Sequence, residues 1–195
     1  MVMKPLAKYT FGVGDRFAHQ ASAQLDAFRK ARSLGWNILP VWNKSNREHL
    51  TVASNPSSVL AAAQAAVDAA QWQHGFYIDA DHIGIATVEP FLDCSDFFTL
   101  DVADSIGKPA PTEAIERFVS THQSLIGRIE LDGLSAPIKI DERLLRSTSE
   151  KYLAAAIRAG ETYRHIHAAK GTVPFVTEVS MDETDLPQTP PELLI

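Results

Sequence analysis

One cysteine in 195 residues, Cys94, leaves no partner for an internal disulfide and suits a reducing compartment. It reads as a small core or rim residue. No apolar segment approaches the ~20 residues that a membrane-spanning helix needs, and the opening Met1-Val-Met-Lys-Pro lacks the apolar core of a secretory signal. Basic clusters are missing as well, and the formal net charge is −6. Both features argue against nucleic acid and anionic membrane as partners. Internal repeats and low-complexity tracts are absent. Gly12-Val-Gly14 lacks the third glycine of a dinucleotide loop, and no acidic residue closes a following strand at the expected spacing, so it reads as a tight strand-to-helix turn. What remains is a cytoplasmic chain of single-domain length whose 45% hydrophobic content is ample for a packed core.

What is present is a set of five short apolar runs, each ending in reactive polar residues. They are Tyr9-Thr-Phe-Gly-Val-Gly-Asp15-Arg16 with His19 after it, Asn37-Ile-Leu-Pro-Val-Trp-Asn43-Lys44, Gly75-Phe-Tyr-Ile-Asp79-Ala-Asp81-His82, Phe97-Phe-Thr-Leu-Asp101, and Pro174-Phe-Val-Thr-Glu178-Val-Ser180-Met-Asp182-Glu183. Their length and their aromatic and β-branched content are those of strands. Alternation adds direction. Phe76, Ile78 and Ala80 share one parity, Tyr77, Asp79 and Asp81 the other; Val176, Glu178, Ser180 and Asp182 likewise fall together. Successive strand side chains point to opposite faces, so one face meets covering helices and the other carries carboxylates toward a shared interior.

Helical stretches between the runs make the strands parallel. Residues from about Ala18 to Leu34 place Ala21, Leu25 and Phe28 on one stripe and stop at Gly35, a natural C-terminal cap. Asn55-Pro56 opens an alanine-rich helix with Val59, Ala63, Ala66 and Val67 on its apolar side. The link from Gly84 to Asp96 has room only for a turn around Pro90. Between the fourth and fifth runs lies a helical insertion over 109–170, a lid candidate. There Thr112 is expected to cap a helix to Ile126, a hairpin to turn at Asp132-Gly133, and a long helix to run from Asp141 to about Ala169. His122, His165 and His167 in this region read as solvated helix residues. The fold class is therefore α/β, a partial TIM-like (β/α) barrel of about five parallel strands with this insertion, forming a single incomplete barrel domain over 1–195.

Two clusters carry chemistry. Asn43-Lys44-Ser-Asn46-Arg47-Glu48-His49 gathers anion-binding and proton-transfer groups, and Lys44 and Arg47 at a strand end are placed to hold a carboxylate or phosphate; the duller reading is a solvated loop. Asp79-Ala-Asp81-His82 combines carboxylate oxygens with imidazole, a donor set suited to Zn²⁺, Mn²⁺ or a similar divalent ion. One strand does not complete a coordination sphere, so further ligands must come from elsewhere.

The segments Val13-Gly-Asp-Arg-Phe-Ala-His-Gln20, Pro40-Val-Trp-Asn-Lys-Ser-Asn-Arg-Glu-His49, Asp79-Ala-Asp-His82, Asp101-Val-Ala-Asp104 and Thr177-Glu-Val-Ser-Met-Asp-Glu-Thr184 resemble the tagaturonate epimerase family from about Tyr9 to the last residue. That resemblance implies a metal-dependent sugar-acid epimerase on a TIM-like barrel, interconverting tagaturonate and fructuronate in hexuronate catabolism. It also implies Asp81 as proton acceptor, His82 as metal ligand and an acid of the Glu178–Glu183 motif as proton donor, Glu178 first and Asp182 second. Lys44, Arg47, His49, Asp79 and Asp182 are the substrate-binding candidates, for an open-chain keto sugar acid with its carboxylate near Lys44 or Arg47.

Family members are longer, and five strand candidates fall short of the eight of a closed barrel, so the chain is expected to be a fragment carrying part of the site and to self-associate through its open sheet. Another metal-dependent sugar isomerase or aldolase would use the same constellation, and a non-catalytic half-barrel binding module is the reading from a different class.

Overall fold

All five apolar runs form strands in the computed structural model, which describes residues 5–182 and 187–195. In chain order the elements are β1 (Thr10–Gly14), α1 (Ala21–Ser33), β2 (Leu39–Ser45), α2 (Asn46–Thr51), α3 (Ser57–Ala69), β3 (Tyr77–Ile83), β4 (Phe97–Asp101), α4 (Thr112–Thr121), β5 (Gly127–Ile129), β6 (Ile138–Ile140), α5 (Glu142–Lys170), β7 (Val176–Ser180) and α6 (Pro190–Leu194). Two compact units result. The first comprises the described residues up to Asp101 with Glu161–Ser180, the second Val102–Gly160 with the described residues of 181–195. The 109–170 segment thus contributes to both.

In the first unit β1, β2, β3, β4 and β7 make one parallel sheet in that order, with β1 and β7 as its edges among the described residues; it is not closed into a barrel. Each strand pairs with the next strand of that order because a helix or a short crossover returns the chain to the same end of the sheet. Between β3 and β4 the crossover is a single 3-10 turn at Glu89–Phe91, as its length requires.

The two sheet faces differ as the alternation predicts. Trp42 and Ile78 pack with Leu25 and Phe28 of α1 and Val59, Ala63 and Ala66 of α3. Val41, Tyr77, Phe97 and Val176 meet on the opposite face, below the carboxylates. Gly35 ends α1 as expected, at φ +90, with Trp36 N–H bonded to Ala31 carbonyl and Gly35 N–H to Arg32 carbonyl. Both bonds satisfy carbonyls that the helix end leaves over.

The segment for which a solvated loop is the duller reading forms the end of β2 and α2. Ser45 accepts the N–H of Glu48 while the Glu48 carboxylate takes the Ser45 N–H, a capping box. The helix ends with Ala53 at φ +50, Ser54 N–H reaching His49 carbonyl and Ala53 N–H reaching Leu50 carbonyl.

In the second unit β5 and β6 pair as the expected antiparallel hairpin, Gly133 lying at φ +91 between them. Val119, Ile138, Ile140 and Leu145 form its core. Thr112 does not cap α4: it is already the first helical residue, following Pro111, and makes no capping hydrogen bond. No helix among the described residues is long and apolar enough to cross a membrane.

Candidate active site

Register and parity place the chemistry. Asn43 of β2 pairs with Asp79 of β3, Ser45 with Asp81, and Thr99 of β4 with Glu178 of β7. Asp79, Thr99 and Glu178 share the face of Tyr77, Phe97 and Val176 toward the C-terminal ends of the strands. Asp79 is only 7% exposed. Its Oδ1 accepts the Thr99 N–H at 3.2 Å, and the Thr99 hydroxyl lies 3.1 and 3.0 Å from its two oxygens. Thr99, which the sequence reading did not single out, is therefore the residue that fixes Asp79. Its parity with Phe97 and Asp101 was the available signal.

Burial pushes the Asp79 carboxyl up to about 7; the Thr99 hydroxyl opposes this, and the charges of Asp81 and Glu178 reinforce it. Burial, reinforced by two neighbouring acids, thus keeps Asp79 partly protonated near neutrality.

At Asp81 and His82 the strand departs from regularity. Ala80 pairs with Phe98 and Ile83 with Leu100, so three steps of β3 face two of β4. The extra residue is a bulge, with His82 at φ +50. It leaves His82 exposed and its Nδ1 2.7 Å from Asp81 Oδ1. A regular strand would send these neighbours to opposite faces.

Lys44 and His49 lie elsewhere. Lys44 has the parity of Trp42, opposite to that of Asn43, and is 1% exposed. Its ammonium donates to Ser54 Oγ at 2.8 Å, and the same hydroxyl lies 2.9 Å from His49 Nδ1. Burial lowers the Lys44 ammonium, with Glu48 and Asp15 opposing. Burial and the Lys44 charge push His49 down to about 4, against the charge of Glu48 and the bond at Ser54. His49 is 3% exposed, rests edge-on against Phe91 at 5.6 Å, and leaves Nε2 without a partner among the described residues. Strand parity turns Lys44, one of the substrate-binding candidates, toward the helix-covered side, and Ser54 joins it there to His49. Arg47 is exposed on α2. Asp182 belongs to the second unit, and Glu183 lies outside the described residues.

As a cation site the described residues give a half-set. No group of three or more His, Cys, Asp or Glu is gathered for a metal among them. Asp81 and His82 supply the donor types but not the number that a structural or catalytic centre uses.

The two buried groups predict opposite pH slopes. Asp79 rises from about 3.8 to about 7 on folding, so its contribution favours the folded state below pH ~4 and is lost as pH rises through about 7. His49 falls from 6.5 to about 4, so its contribution is present above pH ~6.5 and is lost as pH falls toward 4. Thermal melts from pH 4 to 8 should show Asp79→Asn gaining stability over wild type as pH rises, by a few kcal/mol at most. A constant difference across that range would show that Asp79 ionises normally.

The family described as UxaE, tagaturonate epimerase, matches residues 2–194. No curated protein is similar enough to match the chain. Two crystal structures of fructuronate-tagaturonate epimerase UxaE from Cohnella laeviribosi share the fold. The one-glycerol complex aligns at TM-score 0.74 and 23% identity over 94% of this chain and 39% of that one. The two-glycerol complex aligns at TM-score 0.76 and 22% identity over 98% and 41%. The chain therefore spans about two fifths of the length of these solved chains.

Proposed function

This chain belongs to the tagaturonate epimerase family, and from that premise we propose that its sheet carries part of the site of an epimerase interconverting tagaturonate and fructuronate. The observation that carries the reading is the convergence of Asp79 with Asp81 and Glu178, whose two charges bear on it, toward one end of parallel strands. Active sites in (β/α) barrels sit at that end. The sequential strand order fits an arc of such a barrel.

The two sugar acids differ at carbon 4, which is adjacent neither to the ketone nor to the carboxylate. Direct removal of its hydrogen lacks resonance help. Asp81 instead takes the proton of the carbon-4 hydroxyl, the bond between carbons 3 and 4 breaks to an enediolate and an aldehyde, and the aldehyde turns before the bond re-forms. Glu178 returns the proton to the new hydroxyl. Asp79, held by Thr99, sets the charge beneath them. His82 would supply one donor to a divalent cation, whose Lewis acidity would polarise the substrate carbonyl. Cytoplasmic location, a keto sugar acid as small-molecule partner and self-association at the exposed β1 edge, where Tyr9 and Phe11 stand out, complete the reading.

Interconversion of the two sugar acids followed by NMR, with Zn²⁺ or Mn²⁺ added, tests it. Deuterium at carbon 4 should stay on carbon through turnover. Complete washout into solvent supports two bases acting on opposite faces instead, and no interconversion in either direction sinks the epimerase reading.

A further inference from the structure

An anionic substrate faces a difficulty on this sheet. The charged residues at inward-facing strand positions are Asp79, Asp81, Asp101 and Glu178, all acids. Of the two cations expected near the sugar's carboxylate, Lys44 is buried on the other side and Arg47 is exposed on α2.

The loop after β1 offers another. Asp15 accepts N–H groups of Phe17 at 3.0 Å, of Gln20 at 2.7 Å and of His19, which pins the turn into α1. Burial raises the Asp15 carboxyl, but these backbone donors and the His19 charge outweigh it and hold it below the ordinary range. Arg16, next in sequence, is thereby presented by an ordered loop with its side chain 57% exposed. Its Nε stands 3.7 Å from Glu48 Oε1, too long for a hydrogen bond. Glu48 in turn accepts the Ser45 N–H at 3.2 Å, and Ser45 is the residue that pairs with Asp81. Arg16 therefore stands at the C-terminal end of the sheet, linked to the Asp81 position through Glu48 and Ser45. Its guanidinium makes no hydrogen bond among the described residues, so its planar fork is open to a carboxylate. Arg47 has no such link to Ser45.

We propose that Arg16 receives the carboxylate of the sugar acid, with Glu48 as the counter-ion it leaves on binding. This rests on the epimerase reading, and the tests separate the two. Arg16→Gln should raise KM for tagaturonate by about 10- to 100-fold with kcat little changed, the size of a lost charge-assisted pair. Arg16→Lys should recover part of the loss. Glu48→Gln keeps the capping box, which accepts either side chain, yet removes the competing charge. It should lower KM by about two- to fivefold, a direction that a merely structural role does not produce. Inhibition by tagatose, which has a hydroxymethyl group in place of the carboxylate, should be the same in all of these proteins.

Calorimetric binding of tagaturonate to wild type and Arg16→Gln, alongside their melting curves, decides the point without turnover. A protein that binds through Arg16 but does not turn over refutes the epimerase reading alone. Unchanged affinity in Arg16→Gln, an equal loss for tagatose, or a loss in Arg47→Gln in its place overturns the proposal.

Discussion

Asp81→Asn is expected to cut epimerase turnover by about 10²- to 10⁴-fold, the range that a positioned proton-transfer group contributes. Asparagine keeps the size of the side chain and can still bond His82 Nδ1, now 2.7 Å from Asp81 Oδ1, so melting temperature should stay near wild type. What is lost is the capacity to accept a proton. Glu178→Gln should fall in the same range, since a glutamine at that position has no proton to return. Steady-state rates and melting curves measured on the same preparations separate chemistry from folding. An Asp81→Asn protein retaining a tenth or more of wild-type kcat removes Asp81 from the catalytic role.

The largest stability loss is expected at Phe98. Its side chain is 0% exposed, meets Phe175 edge-to-face at 5.6 Å, and lies under the Lys170 ammonium at 5.5 Å. Lys170 also donates to the Ser95 carbonyl at 2.6 Å, tying the end of α5 to the start of β4. Phe98→Ala removes the ring, leaves a cavity and strips the cation of its aromatic face, for a loss of about 3–5 kcal/mol. In a chain of this size that lowers the melting temperature by roughly 6–20 °C. Urea titration read by tryptophan fluorescence measures the loss at constant temperature. A loss under 1 kcal/mol means that this part of the first unit is loosely packed.

Strand existence and direction were legible because the signal is local and repeated. Tyr77 and Asp79 against Ile78 and Ala80 announce two faces before any tertiary contact is considered, and both faces formed accordingly. The same rule applied to Trp42 and Lys44 turns Lys44 away from Asp81, so a cation at a strand end is not by itself a cation of the acid-bearing face. In α2 the opposite happened: Ser45-Asn-Arg-Glu48 is a readable capping pattern that the density of charged residues concealed. His82 is different in kind. Its exposure depends on one residue of mismatch between β3 and β4, and mismatch is a property of a pair of strands that no single segment contains. Thr112 has the residue type of a cap, yet Pro111 occupies the cap position and Thr112 is itself the first helical residue.

Ser45 ends β2 and also caps α2, so the strand passes into the helix with no intervening residue. A joint of that kind has no spare dihedral angles and works as a welded corner. Glu48 is carried on this corner, so α2 cannot swing without dragging β2 and its partner Asp81 out of register. The junction after β1 is built differently, six residues (15–20) separating Gly14 from Ala21. That longer junction is held instead by the three N–H groups that Asp15 accepts. One jaw is fixed by a shared residue and the other by a single carboxylate, so replacing Asp15 would free the positive charge while leaving the spacing of the acids unchanged.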